Sequence, residues 1–340
     1  MPDTYNHIAV EIDPTADIAP IFQDIKEFFN KNKNVTGLSI QVLPGADTDF
    51  WQALALELKA LATLVELQQF ALTTGSDSPQ DFSNIVNMPF WQSLKILCIN
   101  GSIESTCLQA IVDQFKSQPN LTSFTLNSTD LTAEEAKIII RKAPSNLQSL
   151  DLSWNPIEAS DTNVFIKFCQ AIQASNLKAL TLSSIGSAEC THLTSALADI
   201  NRLFSLTLFV SPSFRDEDLI PLTRVMNLNP YIKINVDDCL GFMADTTNLT
   251  EFKKQYEKNK TPQLQHLVAL KLSELLATNL IKPDTVAKLP DPCIDMLPMA
   301  NASKAHLFEL RNAMEETAKQ ESTLEVKIET ITREVKKLMI

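Results

Sequence analysis

The stretch Leu147-Gln148-Ser149-Leu150-Asp151-Leu152-Ser153-Trp154-Asn155-Pro156-Ile157 decides how the chain is read. Its leucines stand at positions zero, three and five. In an extended backbone, positions three and five share one face, and Ser149, Asp151 and Ser153 share the other. The same apolar triplet recurs on both sides. It is found at Tyr5/Ile8/Val10, Val35/Leu38/Ile40, Leu67/Phe70/Leu72, Leu94/Leu97/Ile99 and Leu121/Phe124/Leu126, and again at Leu177/Leu180/Leu182, Leu203/Leu206/Leu208 and Tyr231/Ile234/Val236. Successive copies begin 30, 32, 27, 27, 26, 30, 26 and 28 residues apart. A period of that length marks stacked repeats, each a small unit that cannot bury its apolar face alone.

Between the triplets the apolar spacing becomes helical. Over Leu131–Ala143, Leu131, Ala136, Ile139 and Ile140 fall on one face. Thr132 and Glu135 have the spacing of a capping box, and Pro144 ends the helix. Asp161–Gln173 repeats the plan with Val164, Phe165, Phe168 and Ile172. A strand and a helix in each repeat predict an α/β solenoid, with a curved parallel sheet inside and helices outside.

The quoted stretch resembles the leucine-rich repeat, whose core reads LxxLxLxxNxI, with Asn155 where that family's asparagine closes the turn after the strand. Thr129 and Ile185 occupy the same slot in the fifth and seventh copies. The period and the helices are similar to the ribonuclease-inhibitor subclass, and the resemblance spans residues 1–238. It implies a ligand surface on the concave sheet, at positions two, four and six of each strand. In the middle of the arc these are small and hydroxylated: Ser149, Thr125 and Thr181 lie there, with Asp151 among them. Trp154 and Phe209 are the large aromatic residues nearby. The expected contacts with a protein partner are therefore Asp151, Trp154 and Phe209, flanked by Ser149, Thr125 and Thr181. The alternative is that Ser and Thr are neutral fillers on an exposed sheet.

Composition narrows the function classes. The 340 residues carry 29 basic and 41 acidic side chains, a net charge of −12, with no offsetting basic cluster. Such a balance disfavours nucleic acid and anionic membrane surfaces as partners. The apolar run from Ala53 to Leu72 is interrupted by Glu57, Lys59 and Glu66, so no membrane insertion is expected. The opening MPDTYNHIAVEID lacks the basic and apolar segments of a secretory signal. Cysteines 98, 107, 169, 190, 239 and 293 form no CxxC and are expected to be free thiols in a reducing, cytoplasmic setting. The histidines, His7, His192, His266 and His306, have no metal-ligand spacing. No nucleophile elbow, phosphate loop or kinase signature is present. No cofactor, metal or catalytic constellation is expected, and the reading is not an enzyme. An enzyme with its site in the C-terminal region is kept as an alternative.

The triplet ends near residue 238. Residues 239–300 form an expected helical region, and 301–340 an expected long helix whose apolar stripe includes Leu310, Met314, Leu324, Ile328, Ile331, Val335 and Leu338. That stripe suits either a cap on the solenoid or a partner helix. Within the region 239–300, residues 262–298 resemble the suppressor-of-cytokine-signalling box. Leu264, Val268 and Leu272 match its first helix, and Leu289, Pro290 and Pro292 its second element. Val268 replaces a cysteine and Asp291 an apolar residue of that family. The resemblance implies elongin C and a cullin as partners, and hence a substrate adaptor of a ubiquitin ligase. The degenerate repeats, few glycines and helical tail also resemble the leucine-rich-repeat effectors of intracellular bacteria such as Legionella. That likeness implies a host protein as partner and delivery into the host cell without a signal peptide.

Overall fold

The computed structural model describes residues 7–75, 79–86, 88–157, 161–198, 202–237 and 247–259. Its strands are β1 (His7–Ile12), β2 (Gly37–Val42), β3 (Gln69–Thr74), β4 (Ile96–Asn100), β5 (Ser123–Asn127), β6 (Ser149–Leu152), β7 (Ala179–Ile185), β8 (Ser205–Val210) and β9 (Lys233–Asp237). Each begins on position two of its triplet. They form one nine-stranded sheet in sequential order, and the pairs from β1 to β8 are all parallel. The return paths carry helices α1 (Ile18–Lys31), α2 (Thr48–Ala62), α3 (Ser83–Val86), α4 (Ser105–Gln114), α5 (Ala133–Lys142), α6 (Thr162–Ala174), α7 (Ser187–Leu197) and α8 (Leu219–Leu228).

The core follows from register. Position three pairs with position three along the row Leu38, Phe70, Leu97, Phe124, Leu150, Leu180 and Leu206. Position five does the same along Ile40, Leu72, Ile99 and Leu126, and along Leu152, Leu182 and Leu208. Every one of these side chains is at most 2 % exposed. Burial of each stabilises the stack by roughly 1.5–3 kcal/mol. Ile8 and Val10 of β1, with one neighbouring strand, are only half-buried. In the ninth copy Tyr231 is half-buried and Ile232 fully buried. A turn at Asn229 shifts the phase there: its Oδ1 accepts from Tyr231 N–H (3.0 Å) and its carbonyl from Ile232 N–H (3.2 Å).

The helices begin where the sequence provides caps. The Thr132–Glu135 capping box opens α5 with both hydrogen-bond arms formed, and Leu131, Ala136, Ile139 and Ile140 are buried. Asp161 caps α6, which begins at Thr162, one residue later than expected, with Phe165, Phe168 and Ile172 buried and Val164 half-buried. The third copy has only the single turn α3 and a 3-10 turn at Pro89–Ser93. Large aromatic side chains fill the volume a longer helix would take. Trp91 and Phe82 are buried, and Trp91 Nε1–H donates to Ile85 O (2.8 Å). Trp51 Nε1–H donates to Gln80 Oε1 (3.1 Å).

Asn155 joins two repeats. Its side chain is 1 % exposed, and Oδ1 accepts from Thr129 N–H (2.9 Å), Thr129 Oγ1 (3.0 Å) and Leu131 N–H (3.0 Å). Nδ2 donates to the carbonyls of Leu126 (2.8 Å), Leu152 (3.0 Å) and Ser153 (3.2 Å). One amide thus serves the turn of its own copy and the buried turn before it, where each backbone polar group needs a partner.

The chain divides into two compact units, Met1–Leu228 with Ile234–Phe252, and Asn229–Lys233 with Lys253–Ile340. Residues 247–259 are helical. Within the second unit, buried Asn259 donates from Nδ2 to Asn229 O (3.3 Å) and Ile232 O (3.2 Å), and Lys233 Nζ lies 4.8 Å from the Tyr256 ring centre. The box-like segment 262–298, the rest of the region to residue 300 and the helix expected over 301–340 lie outside the described residues.

Asn155→Ala takes this partner from the buried N–H groups of Thr129 and Leu131 and from the carbonyls of Leu126 and Leu152, while Ser153 O keeps Ser128 N–H (3.2 Å). At about 1–3 kcal/mol for each orphaned group, with partial relaxation, the expected loss is about 3–5 kcal/mol. Urea unfolding of the full chain measures it.

Candidate functional site

Alternation in the sheet leaves positions two and four facing away from the helices. Ser123, Ser149, Ala179 and Ser205 form one row across β5 to β8, and Thr125, Asp151, Thr181 and Thr207 form the next. All eight are half-buried. Strands stand about 4.8 Å apart while packed helices need about 10 Å, so the helical side of the stack is the longer one and this face lies inside the curve. The result is a strip of short side chains across the middle of the sheet.

Position six behaves differently from the expectation. Ser153 and Ser183 are 3 % and 2 % exposed, not open on the strip. Ser153 donates from N (2.9 Å) and Oγ (2.7 Å) to Asp151 Oδ1, which points the carboxylate along the strand toward the turn that follows. Ser183 Oγ accepts from Trp154 N–H across the gap between neighbouring repeats. Ser183 pairs in register with Phe209, and the ladder shifts by one residue between Ser183 and Ile185.

Position seven explains the local geometry. Strands β2, β3 and β8 run through it at Val42, Thr74 and Val210. In the four copies between, the residue there is left-handed: Gly101 (φ 103°), Ser128 (φ 54°), Trp154 (φ 60°) and Ser184 (φ 59°). At Gly101 a Cβ would also lie 2.6 Å from Thr74 O, so glycine is required twice over. Trp154 has the bulkiest side chain of the four in a conformation that costs a non-glycine residue about 1–2 kcal/mol. The residue is 56 % exposed, and its ring stacks on Phe209, with centroids 5.8 Å apart and planes inclined by 29°. The pair reaches from the sixth copy to the eighth, over Ser183 of the seventh.

The structure therefore brings together Trp154 and Phe209 of the expected contacts. It sets Ser149, Asp151, Thr125 and Thr181 in adjacent rows beside them. Leu264, Val268, Leu272, Leu289, Pro290 and Pro292 lie outside the described residues. Ser184 escaped the sequence reading, and Ser183 was expected only as an open position of the strip, not as a backbone acceptor. The pattern of apolar positions carries no signal for a bulge, and a serine as backbone acceptor looks like any other serine.

Among the described residues, no three His, Cys, Asp or Glu side chains converge as a metal site, and no helix is long and apolar enough to cross a membrane. Cys98, Cys107, Cys169 and Cys190 are free thiols. Burial pushes the thiols of Cys107, Cys169 and Cys190 up to about 12 from 9.0. Burial raises Cys98 as well, and the Asp151 carboxylate adds to it. Thiols of this kind are poor nucleophiles at neutral pH.

These features define the class of fold: the described residues of 7–237 form an open parallel sheet with a helical return in each repeat, the architecture of a leucine-rich-repeat solenoid. No family model matches the chain, and no curated protein matches it. Among solved structures it is similar to the leucine-rich repeat-containing protein LegL7 from Legionella pneumophila. The two share 16% identity over 74% of this chain and 87% of that one, with a TM-score of 0.45. It is also similar to a protein from Bacteroides fragilis, with 14% identity over 71% of this chain and 77% of that one, and a TM-score of 0.38.

Two predictions follow from the turn and the thiols. Trp154→Ala loses the stack, worth about 0.5–1.5 kcal/mol, and keeps the strained backbone. Trp154→Gly loses the same stack but relieves about 1–2 kcal/mol of left-handed strain, so its stability stays within about 1 kcal/mol of the parent chain. Urea unfolding of the two variants separates strain from stacking. For the thiols, the unfolded group ionises near 9.0 and the folded one near 12. The folded state holds the proton more tightly, so this stability is fully present below pH 9 and is lost as pH rises toward 12. Each thiol contributes a slope of roughly 1.4 kcal/mol per pH unit in that window. Cys169→Ala lowers the slope of unfolding free energy against pH by one proton.

Proposed function

We propose that this chain is a non-enzymatic protein-interaction module that takes its partner on the concave sheet, with Trp154 and Phe209 as the anchor. One observation carries the reading. A half-exposed tryptophan is held in a left-handed turn that glycine would adopt without strain, and its ring stacks toward the strip and not into the core. Exposed aromatic rings beside a bland rim are the usual makeup of an interface anchor. Asp151, Ser149, Thr125 and Thr181 form the surrounding floor.

The likeness of the sequence to effectors of intracellular bacteria supports a host protein as that partner. The box-like residues Leu264, Val268 and Leu272, with Leu289, Pro290 and Pro292, support a second reading as a ubiquitin-ligase substrate adaptor. In that reading the arc holds a target and the segment 262–298 holds elongin C and a cullin.

A photo-crosslinker placed at Thr181 in the full chain, exposed to eukaryotic cell lysate, tests both. The captured partner is expected to be lost from the Trp154→Ala/Phe209→Ala chain, with affinity falling at least about thirtyfold. Undiminished capture overturns the anchor. Elongin C recovered with the chain, and lost on Leu264→Ala, is the outcome for the adaptor; its absence from the parent sample removes that reading.

A further inference from the structure

The strip holds a single charge. Across positions two, four and six of β2 to β8, Asp151 is the one acidic or basic residue. Its Oδ1 is engaged by Ser153 N–H and Oγ–H, and Oδ2 takes no donor among the described residues. The Ser153 bonds aim the carboxylate along the strand toward the turn that carries Trp154. One face of the Trp154 ring is covered by Phe209, while 56 % of the residue is open. Asp151 stands three residues before Trp154 in the same copy, and a carboxylate with a spare oxygen together with an exposed aromatic ring is complementary to a planar cation. The net charge of −12 draws cations toward the chain. A guanidinium fits both groups, because it stacks flat on an indole and donates in its own plane to a carboxylate.

We propose that the Trp154–Phe209 stack and Asp151 together receive an arginine side chain of the partner protein. The inference rests on the docking reading above and gives its recognition element. The guanidinium lies on the open face of Trp154 and donates to Asp151 Oδ2. The hydroxyl-bearing floor of Thr125, Thr181 and Ser149 accommodates the backbone of the segment that carries the arginine.

Fluorescence of the full chain, titrated with N-acetyl-arginine amide, tests this. Trp51 and Trp91 are each 2 % exposed, so the accessible signal belongs to Trp154, and a Trp154→Phe chain provides the blank. Saturable quenching in the millimolar range is expected. It is expected to be absent with N-acetyl-citrulline amide, which has the same shape and no charge. Binding should weaken at least about tenfold in Asp151→Asn, which keeps an acceptor for Ser153 and so preserves the turn. Equal responses to the citrulline and arginine amides, or unchanged affinity in Asp151→Asn, overturn the inference. Equal affinity for N-acetyl-lysine amide overturns the assignment of a guanidinium. Partner capture that needs Trp154 and Phe209, in a chain that ignores the arginine amide, overturns this inference alone. Arginine binding in a chain whose capture ignores both aromatic residues overturns the docking reading.

Discussion

Each repeat ends in an apolar face that only its neighbour can cover, and that constraint organises everything else. The rows from Leu38 to Leu206 and from Ile40 to Leu126 are continuous because every strand enters the sheet at the same position of its triplet. A slip of one residue in any strand would turn two core side chains to the open face. The stack therefore tolerates large variation in the return path. The third copy manages with a single helical turn because Trp91, Phe90 and Phe82 occupy the space. It tolerates almost none in phase, and the ninth copy departs from it only through the Asn229 turn.

A second constraint acts where the strand ends. The four middle copies turn through a left-handed residue, and the chain meets that demand with one glycine, two serines and a tryptophan. Asn155 lies beside that tryptophan; four of its hydrogen bonds tie its turn to the one before it and two more close its own turn. The turn of the sixth copy thus contains both a side chain held by six hydrogen bonds and a tryptophan in the left-handed region. The anchoring is what allows the strain to persist. Strain held this way at an exposed aromatic ring is typical of recognition sites, and it directs attention to the concave strip more than any composition argument does.

Much of this was legible in the sequence. The triplets marked all nine strands, and the Thr132–Glu135 pair marked the start of α5. The floor of the strip at Ser149, Asp151, Thr125 and Thr181 follows from alternation alone. Position six did not follow from it. Ser153 and Ser183 are buried because they bond to Asp151 and to the Trp154 backbone, and such bonds depend on neighbours in space. Trp154 and Phe209 could be named singly from their size. Their stacking across an intervening repeat could not, since nothing in one-dimensional spacing records which side of a turn a ring takes.

By itself the sequence determined the period, the parallel strand order and the composition of each face, because these depend on burial patterns that repeat within the chain. Tertiary structure alone decided which turns are left-handed, where β7 bulges at Ser184 and how Trp154, Phe209 and Asp151 come to border one surface. The physical reason is the range of the interactions. Periodic burial is written into every copy, whereas a site is made once, from hydrogen bonds and ring contacts between copies.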